Sequence, residues 1–311
     1  MARTFLALMQ QAANELGIPE PSQIIGAQDE QSKQLLALAQ REGKDFSVMA
    51  NKNGGWQNLH KEYTFTTFAS TQTGTLVSGS AIITGLTDTS VLEASTFGAT
   101  GNGVASGAII QSIDSPTQVT LNITATASGI VSIIFGKIAY SLPSDLEYFV
   151  QRTWWDNTYK WELLGPITAQ EKQILKYGII ASGPRSKFYI RVNKMYLNPM
   201  PSISNQLFAY DYFSNAWCQS SSGVAQQLWT ADTDTYLLDE DCFIEGMKWR
   251  FLRAKGLDYS QEKVDYDLDC HRVMARDAGN RDLPIAGGTY GARFLNNDNI
   301  QEAGYGEPYY G

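Results

Sequence analysis

Between Thr71 and Gly136 the chain carries Asp88, Glu93 and Asp114 as its only charged side chains, with no Lys or Arg. Gly, Ser, Thr, Ala, Ile and Val fill the rest. Residues branched at Cβ lose rotamer freedom in a helix and pack well on a pleated surface. The apolar runs SAIITGL, GAIIQSI, TQVTLNITA and GIVSIIFG are separated by turn signals such as TGNG and IDSPT, which is strand-and-turn spacing. Such a segment is expected to form a small all-β domain, Ig-like or a small sandwich, over 71–136. Strands of another style flank it on both sides, HKEYTFTTFAS before and AYSLPSDLEYFVQRTWW after. The segment is therefore an insertion within a β-region that continues past it.

The chain ends in helix pairs. Phe5, Leu8, Met9, Ala12, Ala13 and Leu16 recur at helical spacing, with Thr4 to cap the start and Gly17 and Pro19 to stop it. That predicts a helix over about 4–16. A second, over about 29–49, has Leu35, Leu38, Ala39, Phe46 and Met49 on one face, with Glu42 as a polar breach. Near the other end, DEDCFIEGMKWRFLRAKG begins acidic and ends basic before Gly256, as the helix dipole favours. Helices are expected over about 239–255 and 260–278, the latter capped by Ser260 with Val264, Leu268, His271 and Ala275 as its packing face. KFYIRVNKMYLNP and QLFAYDYFSNAWCQ supply further strands of the central β-region. The predicted class is α+β. A helical bundle from the N- and C-terminal pairs and a β-region form one core over 1–70 and 137–280. Residues 281–311, rich in Gly, Asn and Tyr with few aliphatics, are expected to extend as a tail without a core of their own.

WWDNTYKW places Trp154, Trp155, Tyr159 and Trp161 around a turn at Asp156–Asn157. Aromatics this dense either stack on a sugar or hold a hairpin together by cross-strand pairs. Alternation along a strand sends consecutive tryptophans to opposite sides, one buried and one partly exposed. The expectation is a hairpin corner shared between the core and a subunit interface.

Several function classes are disfavoured. A net charge of −8 opposes a protein that grips phosphates, which needs clustered Lys and Arg. Cys218, Cys242 and Cys270 are odd in number and widely spaced, unlike a disulfide framework or zinc site. The first residues lack a long apolar stretch, being broken by Gln10, Gln11, Asn14 and Glu15, so a cytosolic, unexported start is expected. His60 and His271 have no metal partner at readable spacing, and Cys270 next to His271 points to another helix face. GATGNGVASG misses the dinucleotide fingerprint and is not followed by a helix. Asp232, Asp234, Asp239, Glu240 and Asp241 lack the central Gly and final Glu of a calcium loop, and a solvated or channel-facing patch is the preferred reading. No carboxylate pair stands out for glycoside cleavage. No enzyme activity, cofactor or metal is expected.

Whole segments carry a resemblance. LALMQQAANELGIPEPSQIIG, QLLALAQREGKDF, GGWQNLHKEYTFTT, YSLPSDLEYFVQRTWWDNTYKWELLGPITAQEKQILKYG and GPRSKFYIRVNKMYLNPMPS resemble the head-to-tail adaptor, or connector, proteins of short-tailed bacteriophages. The inserted segment is similar to a small β-module of phage tail and virion proteins. The resemblance implies a homo-oligomeric ring, usually twelvefold, beneath the portal protein at the head–tail junction of the virion. It would be assembled in the host bacterial cytoplasm and would extend the channel through which genome DNA passes without specific binding. Tail nozzle, tube or fibre proteins would meet it on the other side, and no membrane is involved. It further implies a C-terminal segment that reaches along the portal, with Tyr290, Phe294, Tyr305, Tyr309 and Tyr310 as anchors. Asp239, Glu240 and Asp241 are the channel-facing acidic candidates. The competing expectation is a peripheral virion protein that binds carbohydrate or a receptor through the β-module or the Trp154–Trp161 cluster.

Overall fold

A computed structural model describes residues 2–50, 55–177 and 186–277. Helix α1 spans Phe5–Glu15 and α2 spans Glu30–Met49. Both begin where a side chain replaces the missing helical acceptor. Thr4 Oγ1 accepts from the Ala7 amide at 3.3 Å, and the Asp29 carboxylate accepts from the Ser32 amide at 2.8 Å. Strand β1 follows at His60–Thr66.

The inserted module contains β2 (Ala69–Leu76), β3 (Ile82–Ile83), β4 (Phe97–Gly101), β5 (Ala108–Ser115), β6 (Gln118–Leu121) and β7 (Gly129–Lys137). Its six strands run antiparallel in the order β2-β7-β4-β5-β6-β3. Strand β5 bends across the module. Its start pairs with β4 and the rest with β6, through two shifts of register. The two ends of the order then meet, because Thr75 and Thr84 exchange backbone hydrogen bonds of 2.7 and 3.2 Å. The sheet thus folds over and closes on itself, which removes the exposed edges an open sheet would leave. Its interior is apolar, with Leu76, Ile83, Phe97, Ile110, Val119, Ile133 and Phe135 buried together. The module is seated on the loop at Met200–Pro201. A Cβ on Gly136 would collide with the Pro201 carbonyl oxygen, so only glycine fits there.

The central region continues with β8 (Ala139–Ser141), β9 (Leu146–Phe149), β10 (Trp155–Asp156) and β11 (Trp161–Glu162). Helix α3 (Ala169–Tyr177) comes next, then β12 (Lys187–Arg191), β13 (Lys194–Asn198) and β14 (Leu207–Ser214). Strand β14 is the spine, pairing antiparallel with β1, β9 and β10. Strands β12, β13 and β8 form a second small sheet. Trp154, Phe188, Met195, Leu197, Phe208 and Tyr210 make this region's buried core. The sequence did not lead us to expect α3. A reciprocal capping box opens it, since the Thr168 amide donates to Glu171 and the Glu171 amide to Thr168 Oγ1.

Short strands β15 (Cys218–Gln219), β16 (Ala225–Gln226) and β17 (Thr235–Tyr236) lead into α4 (Glu240–Lys255) and α5 (Ser260–Asp277). Asp239 caps α4 by accepting from the Cys242 amide at 3.0 Å, and Gly256, at φ 72°, ends it in the left-handed conformation. Helix α4 lies against α1, α2 and α5. Phe5, Leu8, Leu35, Phe46, Phe243, Met247, Tyr266 and Met274 share one core with Trp56, Trp217, Trp229 and Tyr236. Each large side chain buried there contributes about 1.5–3 kcal/mol.

Two expectations for α5 are corrected. Ser260 is the first helical residue, and the Asp258 carboxylate accepts from its amide at 3.0 Å. The packing face is Tyr266, Cys270 and Met274, whereas Val264, Leu268, His271 and Ala275 are exposed. The helix is apolar on two sides, and the side that supplies a phenol to a buried carboxylate is the one turned inward.

Candidate functional site

The Trp154–Trp161 segment is a hairpin, but the expected turn at Asp156–Asn157 and the expected aromatic cross-strand pairs are corrected: Asp156 lies in β10, the turn is 157–160 with Tyr159 in it, and each exposed tryptophan pairs with an acidic residue. Strands β10 and β11 pair Trp155 with Glu162 and Asp156 with Trp161. The buried Asp156 carboxylate holds the turn, accepting from the amides of Thr158 at 2.8 Å and Tyr159 at 3.1 Å. Two bonds tie the turn to the start of β14. The Asn157 amide donates to Leu207 O at 2.8 Å, and the Leu207 amide donates to Thr158 Oγ1 at 3.0 Å. The tip is therefore held to the sheet by one backbone bond and one bond from a backbone amide to a threonine hydroxyl.

The four aromatics divide by strand alternation. Trp154 is 2% exposed and packs against Phe188 at 4.8 Å and Phe149 at 5.5 Å between ring centroids. Trp155 is 41% exposed on the other side of the ribbon. Tyr159 and Trp161 are 49% and 48% exposed, with ring centroids 6.3 Å apart. They border an open cleft of about 210 Å³ lined also by Asp156, Glu162, Ser186 and Gln206. The four rings do not make one platform, because pairing sets Trp155 and Trp161 on opposite faces.

The acidic candidates near α4 are engaged. Asp239 meets Arg276 at 2.9 Å, and Arg3 bridges Glu240 at 2.5 Å and Asp241 at 2.6 Å. Asp241 stays largely exposed. Upstream, Asp234 is buried and accepts from the Thr230 and Ala231 amides at 2.7 and 2.9 Å, so it is not a solvated patch residue. Asp232 accepts from Ile25 N at 2.8 Å. Among the described residues no cluster of three or more His, Cys, Asp or Glu is placed to hold a metal ion.

His60 stacks on Phe213 at 5.1 Å and lies 3.5 Å from Asp211. Cys270 is buried while His271 is exposed, so the two face apart. The neighbouring Cys270 thiol and burial push the Cys242 thiol well up, and burial pushes Cys218 up to about 12. These two thiols are therefore held in the neutral form near neutral pH.

Inside the helical core lies a polar network that the sequence showed in half. Glu42 on α2 accepts from Arg250 on α4 and from the Tyr266 hydroxyl on α5 at 2.8 Å. Arg250 also reaches Asp45 at 2.9 Å. Burial pushes the Glu42 carboxyl up, against the pull of Arg250 and Tyr266. This network fastens three helices together inside the core.

The anchors Tyr290, Phe294, Tyr305, Tyr309 and Tyr310 lie outside the described residues. No described helix is long and apolar enough to cross a membrane. Comparison with protein-family models and with curated proteins finds no match.

Proposed function

We propose that this chain is a structural virion protein, a ring subunit that joins the portal to the tail and extends the DNA channel. One observation carries most of the weight. Among the described residues, two of the exposed apolar surfaces belong to different cores. One is the aromatic tip at Tyr159 and Trp161 on the central β-region. The other is the outer side of α5, with Leu257, Val264 and Leu268 half-exposed on the helical core. Subunits joined head to tail need two unlike surfaces of this kind, and such joints make a ring when the rotation between neighbours closes. The acidic balance of the chain suits a passage along which DNA slides without being held.

Negative-stain imaging of the purified chain, alone and mixed with the portal protein encoded by the same genome, tests the reading. A ring on one end of the portal, expected to be twelvefold, supports it. A chain that stays monomeric and leaves the portal bare overturns it.

The cleft beside Tyr159 and Trp161 favours a second reading. Two half-exposed rings next to Glu162, Ser186 and Gln206 are the kind of surface on which a sugar stacks while its hydroxyls bond to polar neighbours. Glycan-array binding that is lost in Trp161→Ala would favour a peripheral carbohydrate-binding role. An array without signal would discard it.

A further inference from the structure

We infer that the joint between neighbouring subunits is the Tyr159–Trp161 tip of one copy seated on the outer face of α5 of the next. The inference rests on the ring-subunit reading above and adds the residues that make the ring.

Shape is the first argument. Helix α5 is covered on one side by the core, through Tyr266, Cys270 and Met274. On its other side Val264 and Leu268 stand one turn apart and half-exposed, with His271 and Ala275 continuing the line and Leu257 just before the helix. This is an apolar ridge at helical spacing that no other described element of the chain covers. At the hairpin tip Tyr159 and Trp161 are half-exposed, with the partly exposed Leu207 close by. Tyrosine and tryptophan are the side chains that most often anchor interfaces. The aromatic tip and the aliphatic face of α5 are unlike surfaces, as a head-to-tail joint requires.

Charge is the second argument, and it selects the pairing. Arg152 and Lys160 flank the tip, both exposed and without an ion pair among the described residues. Glu162 sits at the hairpin base. The α5 ridge is edged by Glu262, Asp265, Asp267 and Asp269, against Lys263 and Arg272. Lys263 and Arg272 are taken up by Asp267 and Asp269 within the helix. Asp265 meets only the neutral Gln261 side chain, at 2.9 Å. Tip on ridge brings Lys160 toward Asp265. Tip on tip would oppose Lys160 to its own copy, and ridge on ridge would oppose Asp265 to its own copy. Opposed like charges suppress such pairings.

Site-directed crosslinking with a short bismaleimide tests the joint. Cys218, Cys242 and Cys270 are buried, so introduced surface thiols react selectively. Asn157→Cys and His271→Cys each replace an exposed residue beside the joint and keep its apolar anchors, and unchanged melting curves verify the fold. Each variant alone is expected to remain monomeric under crosslinker. A mixture of the two should give a heterodimer, and a chain carrying both should give a ladder. Lys160→Glu in the double variant should cut the ladder roughly tenfold, and adding Asp265→Lys should restore it.

The reactions are run on the chain alone and in the portal mixture. A homodimer of either single variant without the heterodimer, or no heterodimer in both settings, overturns the joint. Rings on the portal with no ladder would sink the joint and leave the adaptor reading standing. A ladder with a bare portal would do the reverse.

Discussion

The guanidinium of Arg250 on α4 closes on the carboxylate of Glu42 on α2 inside the helical core, with the Tyr266 hydroxyl on the carboxylate's other oxygen. Three helices drawn from opposite ends of the chain are thereby fastened at one point. Removing one partner of a buried pair strands the other charge, at a cost of about 3–5 kcal/mol. Arg250→Ala should lower stability by that amount in urea unfolding. Replacing both, as Glu42→Leu with Arg250→Met, should lose much less, because no charge is left unpaired. An equal loss in both variants would mean that packing, not charge, sets the cost. Gly246→Ala should also destabilise, since its Cβ would collide with the Glu42 carboxylate.

The two adjacent tryptophans should separate cleanly. Trp154→Ala opens a cavity beside Phe188 and Phe149 and should cost about 3–5 kcal/mol. Trp155→Ala removes an exposed ring and should change monomer stability by no more than about 0.5 kcal/mol. Thermal melts of the two variants give the comparison, and similar losses would refute the assignment of opposite sides.

Asp145 should mark the acid limb of stability. Burial alone would push its carboxyl up, but Lys61, Ser214 and Tyr212 outweigh it and hold it below the ordinary value of 3.8. Their contacts measure 2.7, 2.7 and 3.0 Å. A depressed folded value means that the stabilisation is full above the unfolded value and lost as pH falls through the folded one. Asp145→Asn should therefore differ most from the parent above pH 3.8 and converge with it on further acidification. A gap that is constant across that window would show the carboxylate charge to be immaterial. Above it, the variant should cost about 1–3 kcal/mol through its stranded partners.

The inserted module should be separable. Strands β2 and β7 pair along their length, from Ala69 with Gly136 to Leu76 with Gly129. Joining Ala69 to Lys137 should leave a soluble chain whose helical circular dichroism is retained. Loss of the helical signal would show that the seat on Met200–Pro201 also holds the remaining fold. Normal assembly and infection by virions carrying the deletion would show that the module's outer contacts are dispensable.

Local chemistry made the helix starts legible. Thr4, Asp29 and Asp239 each cap the helix they precede, and Gly256 stops α4 in the left-handed conformation that its lack of Cβ permits. The packing face of α5 was not legible, because Val264 and Leu268 share helical spacing just as Tyr266, Cys270 and Met274 do. Periodicity cannot choose between two apolar faces. The choice is tertiary, made by a tyrosine that must reach Glu42. Glu42 itself stood out as a breach in an apolar stripe, but Arg250 lies 208 residues away and nothing local couples them. Helix α3 carried a readable signal in Thr168 and Glu171, three apart just after Pro166. At the hairpin, the sequence announced a turn but not its register, because Asp156 is drawn into β10 while its carboxylate caps the turn amides of Thr158 and Tyr159. The cleft beside Tyr159 depends on Ser186 and Gln206 from distant segments and had no signature in the sequence.

Where the inserted module joins the chain, Ala69 and Gly136 are neighbours across a ladder, about 5 Å apart between Cα atoms. To the rest of the protein, those closely spaced ends are equivalent to a single tight loop. The gap is the same whichever strands lie between them, so the junction works as a socket. A fluorescent reporter, an affinity handle or a differently decorated domain with equally close termini would fit it. A new surface could then be added in one step, with the helical core and the central β-region left as they are.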